Sequence, residues 1–187
     1  MNKGRLFIVS GPSGSGKDTI LIELFKKFPN LHFSISSITR PMRKGEKQGD
    51  KYNFISKDEF LNMIDNDLLL EYNSFVGNYY GTPKAPVLDA IQKGDDIVIE
   101  VDVNGAKQIR EKMPECISIF IMPPDLETLK NRLVARGTET AAKIEERLLA
   151  AKTEISRAGE YDYTVVNDDI NTAVQEIAAI INKKTER

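Results

Sequence analysis

The stretch Leu6-Phe-Ile-Val-Ser-Gly-Pro-Ser-Gly-Ser-Gly-Lys-Asp-Thr-Ile-Leu21 decides how the chain is read. Leu6–Val9 is a short, continuous apolar run, the pattern of a strand covered on both faces of a parallel sheet. From Thr19 the spacing turns helical: Ile20, Leu21, Leu24 and Phe28 share one face until Pro29 stops it. Between the two lie Gly11, Gly14 and Gly16, then Lys17. Glycines let the backbone turn tightly and aim several N–H groups at one centre. That centre falls at a helix N-terminus, where unsatisfied N–H groups and the helix dipole favour an anion. Lys17 adds a mobile charge for outer phosphates. Gly-x4-Gly-Lys between a strand and a helix is the pattern of nucleoside triphosphate binders. It makes Gly11, Pro12, Ser13, Gly14, Ser15, Gly16, Lys17, Asp18 and Thr19 the candidate cradle.

One letter departs from that pattern. The residue after Lys17 is ordinarily Ser or Thr, whose hydroxyl meets Mg²⁺; here it is Asp18. Thr19 lies about 100° further round the helix and does not replace it. Two readings stand for Asp18. A carboxylate binds Mg²⁺ directly or through water, and an acid in a first helical turn pairs with the dipole.

Outward from the cradle, two kinds of segment alternate. Apolar, β-branched runs at Phe33–Ile38, Ile97–Val101, Ile117–Ile121 and Thr164–Val166 predict further strands. Helical spacing predicts helices over Asn104–Lys112, Leu126–Ala135, Thr140–Ala158 and Ile170–Lys183. The alternation argues for an α/β doubly wound domain around a parallel sheet of about five strands. Thr39–Thr82 breaks the rhythm: it is long, polar and glycine-punctuated, with strand candidates at Tyr52–Ile55 and Leu68–Phe75, and reads as an inserted subdomain. Arg132–Ala158, a charged loop followed by a long helix, reads as a mobile flap.

The composition narrows the classes. With 187 residues the chain is long enough for a sizeable core, and 41% apolar with 29% charged residues is an ordinary globular mix. A net charge of -2 gives no basis for coating a nucleic acid or a membrane surface. The single cysteine, Cys116, excludes an intrachain disulfide and a Cys-based zinc site, and His32 is the only histidine. No apolar run reaches the roughly 20 residues of a membrane helix. The first strand begins too early to leave room for a signal peptide. These features point to the cytoplasm.

The near-neutral sum conceals three positive segments. Residues 1–17 and 38–52 each carry a net charge of +3, and residues 130–147 carry +2. The second of these holds Arg40-x-x-Arg43, two forked donors three residues apart, with Tyr52 nearby; such groups suit a dianionic phosphate.

Taken in order, further motifs add to the cradle: Ser36-Ser-Ile-Thr-Arg-Pro-Met-Arg43, Gly49-Asp-Lys-Tyr-Asn-Phe54, Glu71, Gly77-Asn-Tyr-Tyr-Gly-Thr82, Glu100-Val-Asp-Val-Asn-Gly105, Arg136-Gly-Thr-Glu-Thr140 with Arg147, and Val166-Asn-Asp168. Over essentially its whole length the chain resembles guanylate kinase, a nucleoside monophosphate kinase of the P-loop family. The resemblance implies a P-loop NTPase-type parallel five-stranded sheet flanked by helices. Residues 1–34, 83–128 and 159–187 would form the core, 35–82 a mixed α/β GMP-binding subdomain, and 129–158 a helical lid. The implied reaction is reversible phosphorylation of GMP, and of dGMP with it, by ATP and Mg²⁺.

The resemblance also implies residue roles. Ser36, Arg40, Arg43, Tyr52 and Tyr80 would clamp the acceptor phosphate. Glu71, Thr82 and Asp102 would read guanine with help from Ser36, a carboxylate accepting from N1–H and N2–H₂ and a hydroxyl donating to O6. Adenine would leave these groups unpaired, a mismatch that can discriminate by roughly 10⁴-fold. Lys17, Arg40, Arg43, Arg136 and Arg147 would surround the moving phosphoryl group with positive charge. Arg132, Arg136, Asn167 and Asp168 would serve ATP. Bland alternatives stand beside these. Asp102 or Glu100 at a strand end could serve the metal, Glu71 could be a strand-edge acid, Arg147 an exposed helix residue, and Asn167 or Asp168 a helix N-cap. Two other functions also fit the outline: a kinase for another nucleoside monophosphate, and a non-catalytic interaction module of the same fold.

Overall fold

A computed structural model describes residues 3–135, 137 and 140–183. In chain order the elements are β1 (Leu6–Ser10), α1 (Lys17–Lys27), β2 (His32–Phe33), β3 (Ser36–Ile38), β4 (Tyr52–Phe54), α2 (Lys57–Asp65), β5 (Leu69–Phe75), β6 (Asn78–Pro83) and α3 (Lys84–Lys93). They continue with β7 (Ile97–Glu100), α4 (Val103–Lys112), β8 (Ile117–Met122), α5 (Leu126–Ala135), α6 (Ala141–Ile155), a 3₁₀ turn (Ala158–Glu160), β9 (Tyr163–Val166) and α7 (Ile170–Asn182). Among the described residues no helix is long and apolar enough to cross a membrane.

Every residue of β1 is buried, as its continuous apolar run requires. Five parallel strands lie in the order β2-β7-β1-β8-β9. Strands later in the chain therefore lie on both sides of β1. Its carboxyl end is the topological switch point at which open α/β sheets bind ligands, and the glycine loop occupies that point.

The inserted segment forms its own mixed sheet, in the order β4-β3-β6-β5. β3 runs parallel to β4 and antiparallel to β6, and β5 and β6 form a hairpin. Val76 and Gly77 make its two-residue turn at φ 50° and 74°, the paired left-handed geometry that matches strand twist. The expectation of one strand over Phe33–Ile38 needs correction. The chain leaves the five-stranded sheet after β2 and enters the second sheet as β3. An apolar run shows extended backbone but not which sheet edge it meets. Helix α2 carries a sequence signal of its own: Ser56 and Glu59 form a reciprocal capping box at its start.

The described chain divides into two compact units. One comprises residues 3–8 and 30–117, and its core includes Ile38, Phe60, Leu69, Leu70 and Val87. There α4 packs against β5. The other comprises residues 9–29 and the described residues between 118 and 183. In it α1 packs on α7, and Leu129 and Leu133 of α5 meet Ile144, Leu148 and Ala151 of α6.

Candidate functional site

The expected triphosphate side lies in the second unit. Gly11, Gly14 and Gly16 sit at φ 147°, 91° and 94°, and close approaches explain two of them. A β-carbon at Gly11 would come within 2.2 Å of the Ile121 carbonyl oxygen, and one at Gly16 within 2.2 Å of Asn167 Nδ2. The loop is therefore pressed against the ends of β8 and β9. Asn167 is buried and ties it there, donating from Nδ2 to the Ser15 carbonyl at 2.7 Å while its own N–H bonds to Met122 at 2.8 Å. The helix-cap alternative for Asn167 falls away, because Asp169 caps α7 by accepting from Thr172 N–H.

Lys17 folds back over the loop and donates to the carbonyls of Gly11 at 2.7 Å and Pro12 at 3.1 Å. Ser13 is exposed and accepts from Arg147 Nη1 at 3.3 Å, bringing α6 to the loop. Arg132 donates from Nη2 to the Asn167 carbonyl at 2.9 Å, while its Nη1 and Ser15 Oγ are buried without hydrogen-bond partners. Such orphaned donors carry a desolvation penalty that a polar ligand would relieve. Arg136 lies outside the described residues.

Asp18 and Thr19 are exposed in the first turn of α1. Among the described residues no three His, Cys, Asp or Glu cluster to hold a metal. Mg²⁺ needs no such cluster, since it takes one or two carboxylates and completes its octahedron with substrate phosphates and water. A single acid beside a phosphate cradle fits that pattern.

The expected acceptor side lies wholly in the first unit, on one face of the four-stranded sheet. Glu71 pairs with Thr82 across β5 and β6, and Ser36 pairs with Tyr52 across β3 and β4. The β3–β6 register matches Ser37 to Gly81, so one step along it sets Ser36 opposite Thr82. Tyr52, Ser36, Thr82 and Glu71 thus form one row across the sheet. Directly paired residues project to the same side, so the sheet gathers four groups that are far apart in sequence. The next row on that face is Phe54, Ile38, Tyr80 and Asn73.

Glu71 is 6% exposed and Thr82 fully buried, which removes the surface-acid alternative. Thr82 Oγ1 donates to Glu71 Oε1 at 2.7 Å. Burial, with the charge of Asp102 adding to it, pushes the Glu71 carboxyl up to about 7 against the opposing pull of Thr82 and Lys112. With its hydrogen committed to an ionised Glu71, the Thr82 hydroxyl meets a ligand as an acceptor.

Asp102 caps α4, its Oδ1 accepting from Asn104 N at 2.9 Å and Gly105 N at 2.8 Å. Its Oδ2 accepts from Asn73 Nδ2 at 3.1 Å. Glu100 instead pairs with Lys51 at 3.5 Å. Gly105 makes room for Glu71: a β-carbon there would sit 2.8 Å from Oε2.

Arg40 lies against the aromatic end of the same face, its guanidinium carbon 5.5 Å from the Tyr52 ring centre and 5.4 Å from that of Phe54. Its Nη1 and Nη2 donate to the Glu46 carboxylate at 2.6 and 2.5 Å. Glu46 also accepts from the Arg43 backbone N–H at 2.7 Å. The Arg40 guanidinium, with that N–H beside it, holds the Glu46 carboxyl down at about 2. The Arg43 side chain is exposed.

Three further residues shape the site without a role assigned to them in the sequence. Asn73 was detectable as the second position after Glu71 on an alternating strand. Gly105 had the signal of a glycine inside a helix, and Glu46 had none beyond its place in a charged loop.

A protein-family model described as guanylate kinase matches residues 3–184. The chain is 46% identical to the guanylate kinase of Clostridioides difficile strain 630, over all of this chain and 91% of that one. It is 47% identical to the guanylate kinase of Clostridium tetani, over 97% of this chain and 87% of the relative. The crystal structure of guanylate kinase from Anaplasma phagocytophilum is similar to it at a TM-score of 0.79 and 34% identity, covering 98% of this chain and 89% of that one.

Proposed function

The chain belongs to the guanylate kinase family, and from that premise we propose that it moves the γ-phosphoryl group of ATP onto the phosphate of GMP, reversibly, giving ADP and GDP. The observation that carries the assignment of the acceptor is the buried Glu71–Thr82 pair, aligned with Ser36 and Tyr52 on one sheet face. Ionised Glu71 accepts from guanine N1–H and N2–H₂. Ser36 donates to O6, and Asp102 borders the amino edge. AMP offers an unprotonated N1 and an amino group in place of O6, so it leaves the buried carboxylate unpaired. A 2′-deoxyribose alters none of these contacts, so dGMP is a second acceptor.

The acceptor phosphate is bound by Arg40, Arg43, Tyr52 and Tyr80. On the donor side the backbone N–H groups of the glycine loop cradle the ATP phosphates, and Arg132 and Asn167 flank the nucleotide. Lys17 leaves the Gly11 and Pro12 carbonyls to meet the outer phosphates. In the transfer the bond between the γ-phosphorus and the β–γ bridging oxygen breaks, its electrons staying with ADP, while an oxygen of GMP bonds to that phosphorus. The attacking oxygen is already anionic, so no general base is required. Positioning and charge neutralisation by Lys17, Arg40, Arg43, Arg136 and Arg147 supply the rate. Asp18, through water, would hold the Mg²⁺ that neutralises the β- and γ-oxygens when it is bound. The proposal places the enzyme in the cytoplasm, with nucleotides rather than nucleic acid or membrane as partners.

The test is ADP release with ATP, Mg²⁺ and each monophosphate in turn. GMP and dGMP should support turnover at least about a thousandfold above AMP, CMP and dTMP. AMP matching GMP would overturn the guanine assignment, and no acceptor-dependent ADP at all would favour a non-catalytic module.

A further inference from the structure

Glu46 belongs to none of the roles assigned above, yet it makes the most extensive side-chain contacts to the residue at the head of the phosphate clamp. A guanidinium carries five N–H donors in one plane. In Arg40 three are engaged: Nη1 meets Glu46 Oε2 at 2.6 Å and the Pro41 carbonyl at 3.0 Å, and Nη2 meets Glu46 Oε1 at 2.5 Å. The two that remain, on Nε and Nη2, are adjacent on a single edge. The aromatic rings of Tyr52 and Phe54 lie 5.5 and 5.4 Å from the guanidinium carbon and limit its tilt. The Arg40 side chain is only 11% exposed. The group is therefore fixed at one end, flanked by rings, and presents one two-donor edge matched to a phosphate.

Resting on the reading of Arg40 as an acceptor-phosphate ligand, we propose that Glu46 is a positioning residue. Its carboxylate occupies the terminal edge of Arg40 so that the Nε–Nη2 edge is aimed at the acceptor phosphate before GMP arrives. A rival account follows from the same contacts, in which Glu46 is an internal anion competing with the phosphate for Arg40. The geometry favours positioning. A competitor would take the edge that the phosphate needs, whereas Glu46 leaves a complete two-donor edge open. Glu46 also accepts the Arg43 N–H at 2.7 Å, so one carboxylate sets both the Arg40 side chain and the backbone carrying Arg43. Because the Glu46 carboxyl is held at about 2, the brace persists at any working pH.

The test compares GMP with guanosine, which lacks the phosphate, as ligands of the whole protein carrying Glu46→Ala, Glu46→Gln or Arg40→Ala. Removing the brace frees a long, rotamer-rich side chain that must be ordered again on binding. Glu46→Ala should raise KM for GMP about tenfold, change kcat by less than about threefold, and leave guanosine binding unchanged. Glu46→Gln keeps one acceptor oxygen and should recover part of the loss, so it carries the test if the alanine variant folds poorly. A GMP-to-guanosine preference that is unchanged in both Glu46 variants overturns the inference and leaves a loop staple. A preference that rises overturns it in favour of competition. Arg40→Ala separates the two layers. If it leaves that preference intact, the phosphate-clamp reading has failed; if it abolishes the preference while Glu46→Ala does not change it, only the role of Glu46 has failed.

Discussion

Lowering the pH through 7 should switch off guanine recognition through one residue, Glu71. Its carboxyl is raised to about 7 from 4.5, chiefly by burial. For the free protein this means that the stability linked to Glu71 is fully present below about 4.5 and is lost as pH rises through 7. At pH 8 the buried charge costs about 3 kcal/mol relative to a protonated Glu71. Guanine reverses the preference, because its N1–H and N2–H₂ bond to the ionised form. Binding below pH 7 must therefore expel a proton, and affinity falls about tenfold per pH unit, or roughly 30-fold between pH 8 and 5.5. The phosphate of GMP itself titrates near pH ~6, so guanosine is the cleaner ligand. Calorimetric titration of guanosine across that range is the assay. Glu71→Gln should abolish the slope and weaken binding at pH 8 at least about a hundredfold, because an amide donor would face the guanine donors. It should also unfold at higher temperature than the parent at pH 8. A flat profile in the parent, or the same slope in the Gln variant, would refute the reasoning.

Three further outcomes follow. Lys17→Met should lower kcat by at least about a hundredfold with GMP binding unchanged, since Lys17 lies on the triphosphate loop, where it donates to carbonyls at 2.7 and 3.1 Å; near-normal turnover would remove it from the mechanism. Gly105→Ala places a methyl 2.8 Å from Glu71 Oε2 and should cost about 1–3 kcal/mol of stability and raise KM for GMP while sparing KM for ATP. Asp18→Ser should shift the Mg²⁺ concentration that gives half-maximal rate, and an unchanged titration would remove Asp18 from the metal.

The donor side was legible in sequence because it is local. Strand, glycine loop, lysine and helix follow one another within residues 6–21, and each step has a backbone cause. On the candidate acceptor side the residues alone offered Arg40-x-x-Arg43 as a phosphate clamp, and the proposed base readers came only through a family resemblance. Tyr52, Ser36, Thr82 and Glu71 become one row only through the β3–β4, β3–β6 and β5–β6 registers, and register is a tertiary property. The same limit explains the split of Phe33–Ile38 between two sheets. Hydrogen-bond direction was also hidden, since nothing in the sequence says that the Thr82 hydroxyl donates to Glu71. Helix α2 differs, because its Ser-x-x-Glu cap was in plain view.

The most direct measurement follows the γ-phosphate itself. Incubated with ATP labelled at that position, Mg²⁺ and GMP, the protein should move the label to the β-position of GDP, with one ADP formed per GDP. Label appearing as free phosphate, or remaining on ATP while GMP is bound, would contradict phosphoryl transfer between the two nucleotides.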